Sequence, residues 1–316
     1  MILTADFGGT TIKLGVVRAG SVVARGRLDA HADLPMHDRL EAVAQAWEEL
    51  LRGSGNTLRD CRATALALPF VAEPARCRVR GNFGKFPGAA EIDYAAWGQQ
   101  RLGLPVALEN DLRVALLGEA AAGAARGKAD VVMLALGTGI GCAVLSRGRL
   151  LLGANNLAGT LLGHSSVDHQ GSRGRCGNTG CAEDLASTAT LEAQARSHPA
   201  FAGSALSRVG KIDYETIFEM AAHGDICAEE LLQQSLRVWA TVLQNAVLAY
   251  DPEMVVLGGG VLRSSGVILP AMRTHLHAHL PDQELPVAVV AAELGDDAAL
   301  IGAETLLRHA YPTLSL

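Results

Sequence analysis

The sequence predicts an α/β protein of two similar domains, and three observations carry that prediction. The chain is long enough for two ordinary cores, a strand–glycine/threonine turn–strand opening occurs twice, and helices and further strands follow each opening. Its 316 residues are 49% hydrophobic and 19% charged, with 35 glycines and 4% aromatics.

The first opening reads MILTADF, TIKLGVV and SVVARGRL. A glycine pair separates the first two runs and Ala19-Gly20 the last two, which suggests an antiparallel meander. Apolar residues then recur at helical spacing through MHDRLEAVAQAWEELLRG, which stops at Gly53. ATALALP reads as a buried strand, EIDYAAWGQQRLG as a helix, and LPVALEND as a short strand ending in polar residues. LRVALLGEAAAGAARG is a helix for which Asp111 is a candidate N-cap. DVVMLALGTGIGCAVLSRGRLLLG then restarts the programme. AEELLQQSLRVWATVLQNAVLAY is a long helix, EMVVLGGG a strand entering a glycine turn, and DDAALIGAETLLRHA the closing helix. The expected domains are 1–109 plus about 296–316, the last helix folding back, and 110–295, with a cleft between them.

Composition excludes several classes of function. A net charge of -6 at pH 7 does not favour a nucleic-acid partner. The first residues carry no basic leader, and no run of about 18 apolar residues suggests a membrane span. The six cysteines are scattered, unlike a disulfide framework. The chain reads as a soluble cytoplasmic protein.

Chemistry concentrates in the glycine turns. In DFGGTTIK, a strand delivers Asp6 to its end, and Gly8 and Gly9 let a ligand approach the backbone. Thr10 and Thr11 add hydroxyls and Lys13 a positive charge, and successive N–H groups there can cradle an anion. An Asp beside a phosphate site commonly holds Mg2+. An ordinary hairpin turn would use the same glycines. LGTGIG supplies a second such turn, with Gly137, Thr138 and Gly139, and VVLGGG a third, with Gly258, Gly259 and Gly260. LGTGIG is not a dinucleotide fingerprint, because a strand follows where a helix should. No G-x-x-x-x-G-K-[ST] loop is present. Three turns of this kind suit a nucleotide gripped between two domains.

These stretches, with LENDLRVALLGE, the Gly-His pair at 163–164, CGNTGCAE and DPEMVVLGGGV, resemble the ROK family of sugar kinases and related repressors. That family lies within the actin-like ATPase superfamily, and the resemblance runs nearly end to end. It implies two actin-like (ribonuclease H-like) domains with an interdomain cleft, and ATP with Mg2+ as cofactors. It also implies a hexose or N-acetylhexosamine as the phosphoryl acceptor at its 6-hydroxyl, and a homodimer. By itself, Asp111 could be a helix cap; the family pattern makes it the catalytic base and Asn110 a sugar ligand, with Glu109 structural. Asn82 lies near the segment where relatives place a further sugar-binding Asn.

The same resemblance bears on the two cysteines of CGNTGCAE. Relatives bind structural Zn2+ through a His and three Cys, while the His and a following Glu face the sugar. Here His164, Cys176, Cys181 and Glu183 match, and Gly174 stands where the first cysteine would be. Three ligands remain where a closed site wants four. A bound zinc, with His169 a guess at its fourth ligand, and an empty site both stay open. Thr160 stands at the place of a family Glu that accepts sugar hydroxyls, so glucose is not assumed. HLHAHL, with His275 and His279 on one helix face, is read as solvated histidines rather than a metal cluster. A sugar-responsive regulator or a sugar-binding protein without kinase activity is the alternative function. A regulator would need a DNA-binding module for which the residues before Asp6 leave no room.

Overall fold

The structure is a computed structural model that describes residues 1–81, 84–280 and 286–315. It divides into two compact units. The first comprises Met1–Gly127, Leu152–Leu157 and the chain from Glu293 onward, and the second Lys128–Leu151 with Ala158–Ala292.

The first unit opens with β1 (Ile2–Phe7), β2 (Thr11–Arg18) and β3 (Ser21–Asp29), an antiparallel meander. Helix α1 (Met36–Gly53) follows, then β4 (Ala63–Leu68), the short hairpin β5 (Val71–Glu73) and β6 (Arg78–Arg80), and α2 (Tyr94–Arg101). β7 (Val106–Asn110) runs directly into α3 (Asp111–Ala122). The sheet order is β3-β2-β1-β4-β7, with β4 parallel to both β1 and β7. Every residue of β4 is buried, as a parallel strand covered on both faces requires, whereas β3 is an edge strand with alternating exposure. α1 buries Met36, Leu40, Val43, Ala44, Trp47 and Leu51 at helical spacing, and the Trp47 indole donates to the Thr4 carbonyl at 3.1 Å.

The second unit repeats the plan. β8 (Val131–Leu136), β9 (Ile140–Ser146) and β10 (Arg149–Leu150) form the meander, followed by α4 (Ala182–Leu185), α5 (Thr188–Ser197), α6 (Tyr214–Ala222) and α7 (Ile226–Tyr250). β11 (Met254–Gly258), α8 (Ser265–His279) and β12 (Ala288–Ala291) complete it. The sheet order, β10-β9-β8-β11-β12, is that of the first unit. Trp239 of α7 is buried and donates to the Ala186 carbonyl at 2.8 Å, and the Tyr214 hydroxyl bonds Ser235 at 2.9 Å. Among the described residues no helix is long and apolar enough to cross a membrane.

The division departs from the expected boundary at Glu109. α3 belongs to the first unit because it packs along the C-terminal helix (Ala298–Ala310), which also covers β1, β2 and β4. A buried carboxylate fastens the pair: Glu119 accepts N–H bonds from Ala124 at 2.8 Å and Leu294 at 2.9 Å. That closure joins residues far apart in sequence, and no local pattern announces it.

Candidate active site

In the first unit the turn between β1 and β2 is closed by the Gly8 N–H, which donates to the carbonyls of Asp6 at 3.2 Å and Thr11 at 3.0 Å. A Cβ on Gly8 would lie 2.8 Å from the Thr11 oxygen, so the turn tolerates no side chain there. Thr10 accepts from the Ala30 N–H at 2.9 Å, and Thr11 begins β2. Asp6 and Lys13 face each other across the β1–β2 register, with Nζ 3.3 Å from Asp6 Oδ2 and 3.1 Å from Asp296 Oδ1. Burial raises the Asp6 carboxyl above its ordinary range, opposed by Lys13.

Asp111 stands where β7 becomes α3. The cap is Asn110, whose side chain accepts from the Arg113 N–H at 3.3 Å, and Asp111 is the first helical residue. The candidate cap role for Asp111 is therefore corrected by one position. Asp111 Oδ1 accepts from its neighbour's N–H, Leu112, at 2.8 Å and from the Asn110 amide at 2.9 Å. Burial, then the charge of Asp6, pushes its carboxyl up to about 7, against the Leu112 N–H, Lys85 and Asn110. The Asn110 amide also reaches the Phe70 carbonyl, at a longer 3.4 Å. Glu109 is fully buried, accepts from the Asn110 N–H at 2.7 Å, and pairs with Arg113 at 3.2 Å.

The second unit gathers two of the glycine turns. Gly137 donates to the Gly139 carbonyl at 3.0 Å, while the first N–H groups of α5, Thr188 and Ala189, donate to the Gly137 and Thr138 carbonyls at 3.0 and 3.2 Å. The turn after β11 meets this one: Gly259, with φ of 92°, would place a Cβ 2.2 Å from the Leu136 carbonyl oxygen. Gly258 ends β11 and Gly260 begins a short 3-10 helix. Glu183 joins the same cluster, its Oε2 accepting from the Ile140 N–H at 2.9 Å. A Cβ on Gly139 would lie 2.3 Å from that oxygen, so a side chain there would push the Glu183 carboxylate off its bond to Ile140.

His164 ends the 3-10 turn Leu162–His164, and Cys181 caps α4. The ligand atoms of His164, Cys176 and Cys181 all lie within 4.8 Å of one another, with His164 Nδ1 3.7 Å from Cys181 Sγ. Burial pushes the Cys181 thiol up to about 11, while the backbone N–H groups of Asp184 and Glu183 aim at its sulfur and favour the thiolate. One imidazole and two thiols so converged fit a zinc ion as three of its ligands. Among the described residues no fourth His, Cys, Asp or Glu joins the group, His169 included. The place of a side chain on Gly174 is taken: its Cβ would lie 1.9 Å from Asp184 Oδ2, a carboxylate held by the Arg175 N–H at 2.7 Å and Nε at 2.8 Å.

Thr160 is half-buried, and its hydroxyl has no hydrogen-bond partner among the described residues. Asn82 lies outside the described residues. His275 and His279 stack at 4.1 Å on α8, and His275 Nε2 meets Gln244 at 2.9 Å; they form no metal cluster among the described residues. Lys85, Asp296 and Asp184 were not singled out by the sequence, since single charged residues in loops and one-turn helices carry no periodic signal.

The sequence pattern of the ROK family matches residues 2–310. The chain belongs to the ROK family. Its ROK relatives include the N-acetylmannosamine kinase of Citrobacter koseri, 36% identical over 96% of this chain and 97% of that one. The glucokinase of Thermotoga maritima is 28% identical over 98% of this chain and 97% of that one. Among solved structures, the ROK glucokinase of Streptomyces griseus in complex with glucose and AMPPNP superposes with a TM-score of 0.75 at 28% identity, covering 97% of this chain and 99% of that one. The mixed α/β architecture is that of the actin-like ROK sugar kinases.

Proposed function

We propose that this chain is an ATP-dependent kinase that phosphorylates a hexose or N-acetylhexosamine at its 6-hydroxyl. The observation that carries the reading is Asp111, a carboxylate fixed by Leu112 and Asn110, raised to about 7, and close enough to Asp6 beside the first glycine turn to feel its charge. A general base works best with a pKa near the operating pH. The sugar oxygen attacks the γ-phosphorus as its proton passes to Asp111, and the bond to the β–γ bridging oxygen breaks to release ADP.

We assign phosphate contacts to the turns at 8–11, 137–139 and 258–260, and sugar contacts to Asn110, Asp111, His164 and Glu183. The weak Asn110–Phe70 bond is the one a sugar hydroxyl can replace. Asp296 is paired with both Lys13 and Arg27, while the charge of Asp6 reaches Asp111, and that carboxylate pair beside the first glycine turn fits a further cation. Mg2+ would be held at Asp6 and would supply positive charge to the phosphates. Zn2+ would be held by His164, Cys176 and Cys181, tying together the segments that carry His164 and Glu183.

ADP release with ATP and Mg2+ over glucose, mannose, N-acetylglucosamine and N-acetylmannosamine tests the activity. At least one sugar should give a kcat of about 1–100 s⁻¹, the usual range of kinases. Sugar binding without sugar-dependent ADP would replace this reading with that of a sugar-binding protein.

Zinc is tested separately. Elemental analysis should find zinc in the purified protein, lost on mild chelation because the ligand set is incomplete, and absent from Cys176→Ser. Gly174→Cys alone should not tighten it, since Asp184 occupies the space; Gly174→Cys with Asp184→Ala should. A wild-type protein free of zinc would leave the cysteines as packing residues.

A further inference from the structure

Lys85 lies between β6 and α2, outside every glycine turn. Its Nζ is 3.4 Å and its Cε 3.6 Å from the point a Cβ on Gly9 would occupy. An ammonium group from a separate segment therefore lies against the first glycine turn, beside Gly9. Its position is built rather than incidental. The next residue, Phe86, is fully buried and packs edge-on against Phe7 at 5.7 Å and Phe70 at 6.3 Å. Phe7 is the residue immediately before Gly8, so this contact ties the loop to the turn. The Phe86 N–H donates to the Ala32 carbonyl at 2.5 Å, and Pro87 accepts from Met36 at 2.8 Å. Phe86 is held at φ of 47°, a left-handed conformation that an aromatic residue seldom adopts. The packing sustains that strain and directs the residue before it toward the turn.

The charges distinguish the two lysines. Lys13 is engaged by two carboxylates, Asp6 and Asp296. Among the described residues Lys85 makes no ion pair, and its charge reaches Asp111. We propose that Lys85 is a phosphate-contacting residue, its ammonium binding the nonbridging oxygens of the transferring phosphoryl group beside Gly8 and Gly9. This rests on the kinase reading. In that role Lys85 offsets the charge of the phosphoryl group and of Asp111.

Lys85→Met in the full chain tests the inference, with Lys85→Gln as a second variant should the first not fold. Two binding probes are used, AMPPNP and ADP, which differ by the terminal phosphoryl group. Calorimetry should show the preference for AMPPNP over ADP reduced by about tenfold or more, with sugar affinity unchanged. kcat should fall by about 10²–10³, the usual effect of losing one charge-stabilising donor. The acid limb of kcat/KM should move to higher pH, because Asp111 keeps Asp6, the Leu112 N–H and Asn110 around it but loses the cation. A fall in kcat with neither the nucleotide preference nor the pH limb altered would assign Lys85 to loop structure and overturn the inference, as would no change at all. If the wild type phosphorylates no sugar, the kinase reading fails, and the AMPPNP-to-ADP ratio alone then decides Lys85.

Discussion

Asp111→Asn lowers kcat by about 10²–10⁴, the usual worth of a positioned general base, and leaves sugar affinity nearly unchanged. The substitution is informative because it preserves shape. Asparagine keeps an oxygen for the Leu112 N–H and the Asn110 amide, so α3 and its Asn110 cap stay in place. What is lost is the ability to take a proton. Since burial and Asp6 push Asp111 up to about 7, wild-type kcat/KM should rise with pH through about 7 and level off above it. In Asp111→Asn that limb should disappear from the residual rate. Stability should respond in the opposite sense. An acid whose folded pKa is raised from 3.8 to about 7 favours the folded state at low pH and progressively less as pH rises across that window. Removing the charge should therefore leave the variant at least as stable as wild type at pH 8, as a thermal melt will report. A kcat within a few-fold of wild type would remove Asp111 from the role of base.

Sequence made the two sheets legible because strand patterning and glycine turns are local signals, and both openings carried them. It also located Asp111 at a strand–helix junction, though it placed the cap one residue late; Asn and Asp are equally good caps, and only geometry separates them. Other features lay beyond it for a physical reason. The Glu183 carboxylate lies against Gly139, and Asp184 fills the space beside Gly174, through contacts between residues far apart or unmarked in the chain. Lys85 depends on the packing of Phe86 against Phe7, which no spacing encodes. The boundary moved past Glu109 because α3 finds its partner in a helix at the other end of the chain.

That helix pair gives the second large effect. Gly302→Ala is expected to destabilise the first unit by about 3 kcal/mol, the upper end of ordinary overpacking. α3 and the C-terminal helix touch backbone to backbone: a Cβ on Gly302 would lie 1.9 Å from the Val114 carbonyl oxygen and 2.7 Å from the Gly118 nitrogen. The contact is reciprocal, since a Cβ on Gly118 would lie 1.9 Å from the Ala298 carbonyl oxygen. No flexible side-chain end can yield there, so the helices must part. The sign opposes intrinsic propensity, by which alanine in a helix gains about 1 kcal/mol over glycine. Gly266, on α8, provides the control, because nothing lies within 4 Å of its Cβ position and Gly266→Ala should raise stability slightly. Activity should fall with Gly302→Ala as well. α3 begins at Asp111, and the turn just before the C-terminal helix carries Asp296, which holds Lys13, and Asp297, which holds Arg25 at 2.5 Å. Parting the helices moves the base relative to the turn it serves. Thermal melts of the two glycine variants, with kcat measured below both transitions, check the argument. A Tm for Gly302→Ala equal to or above wild type would mean that the two helices do not approach closely enough to require glycine.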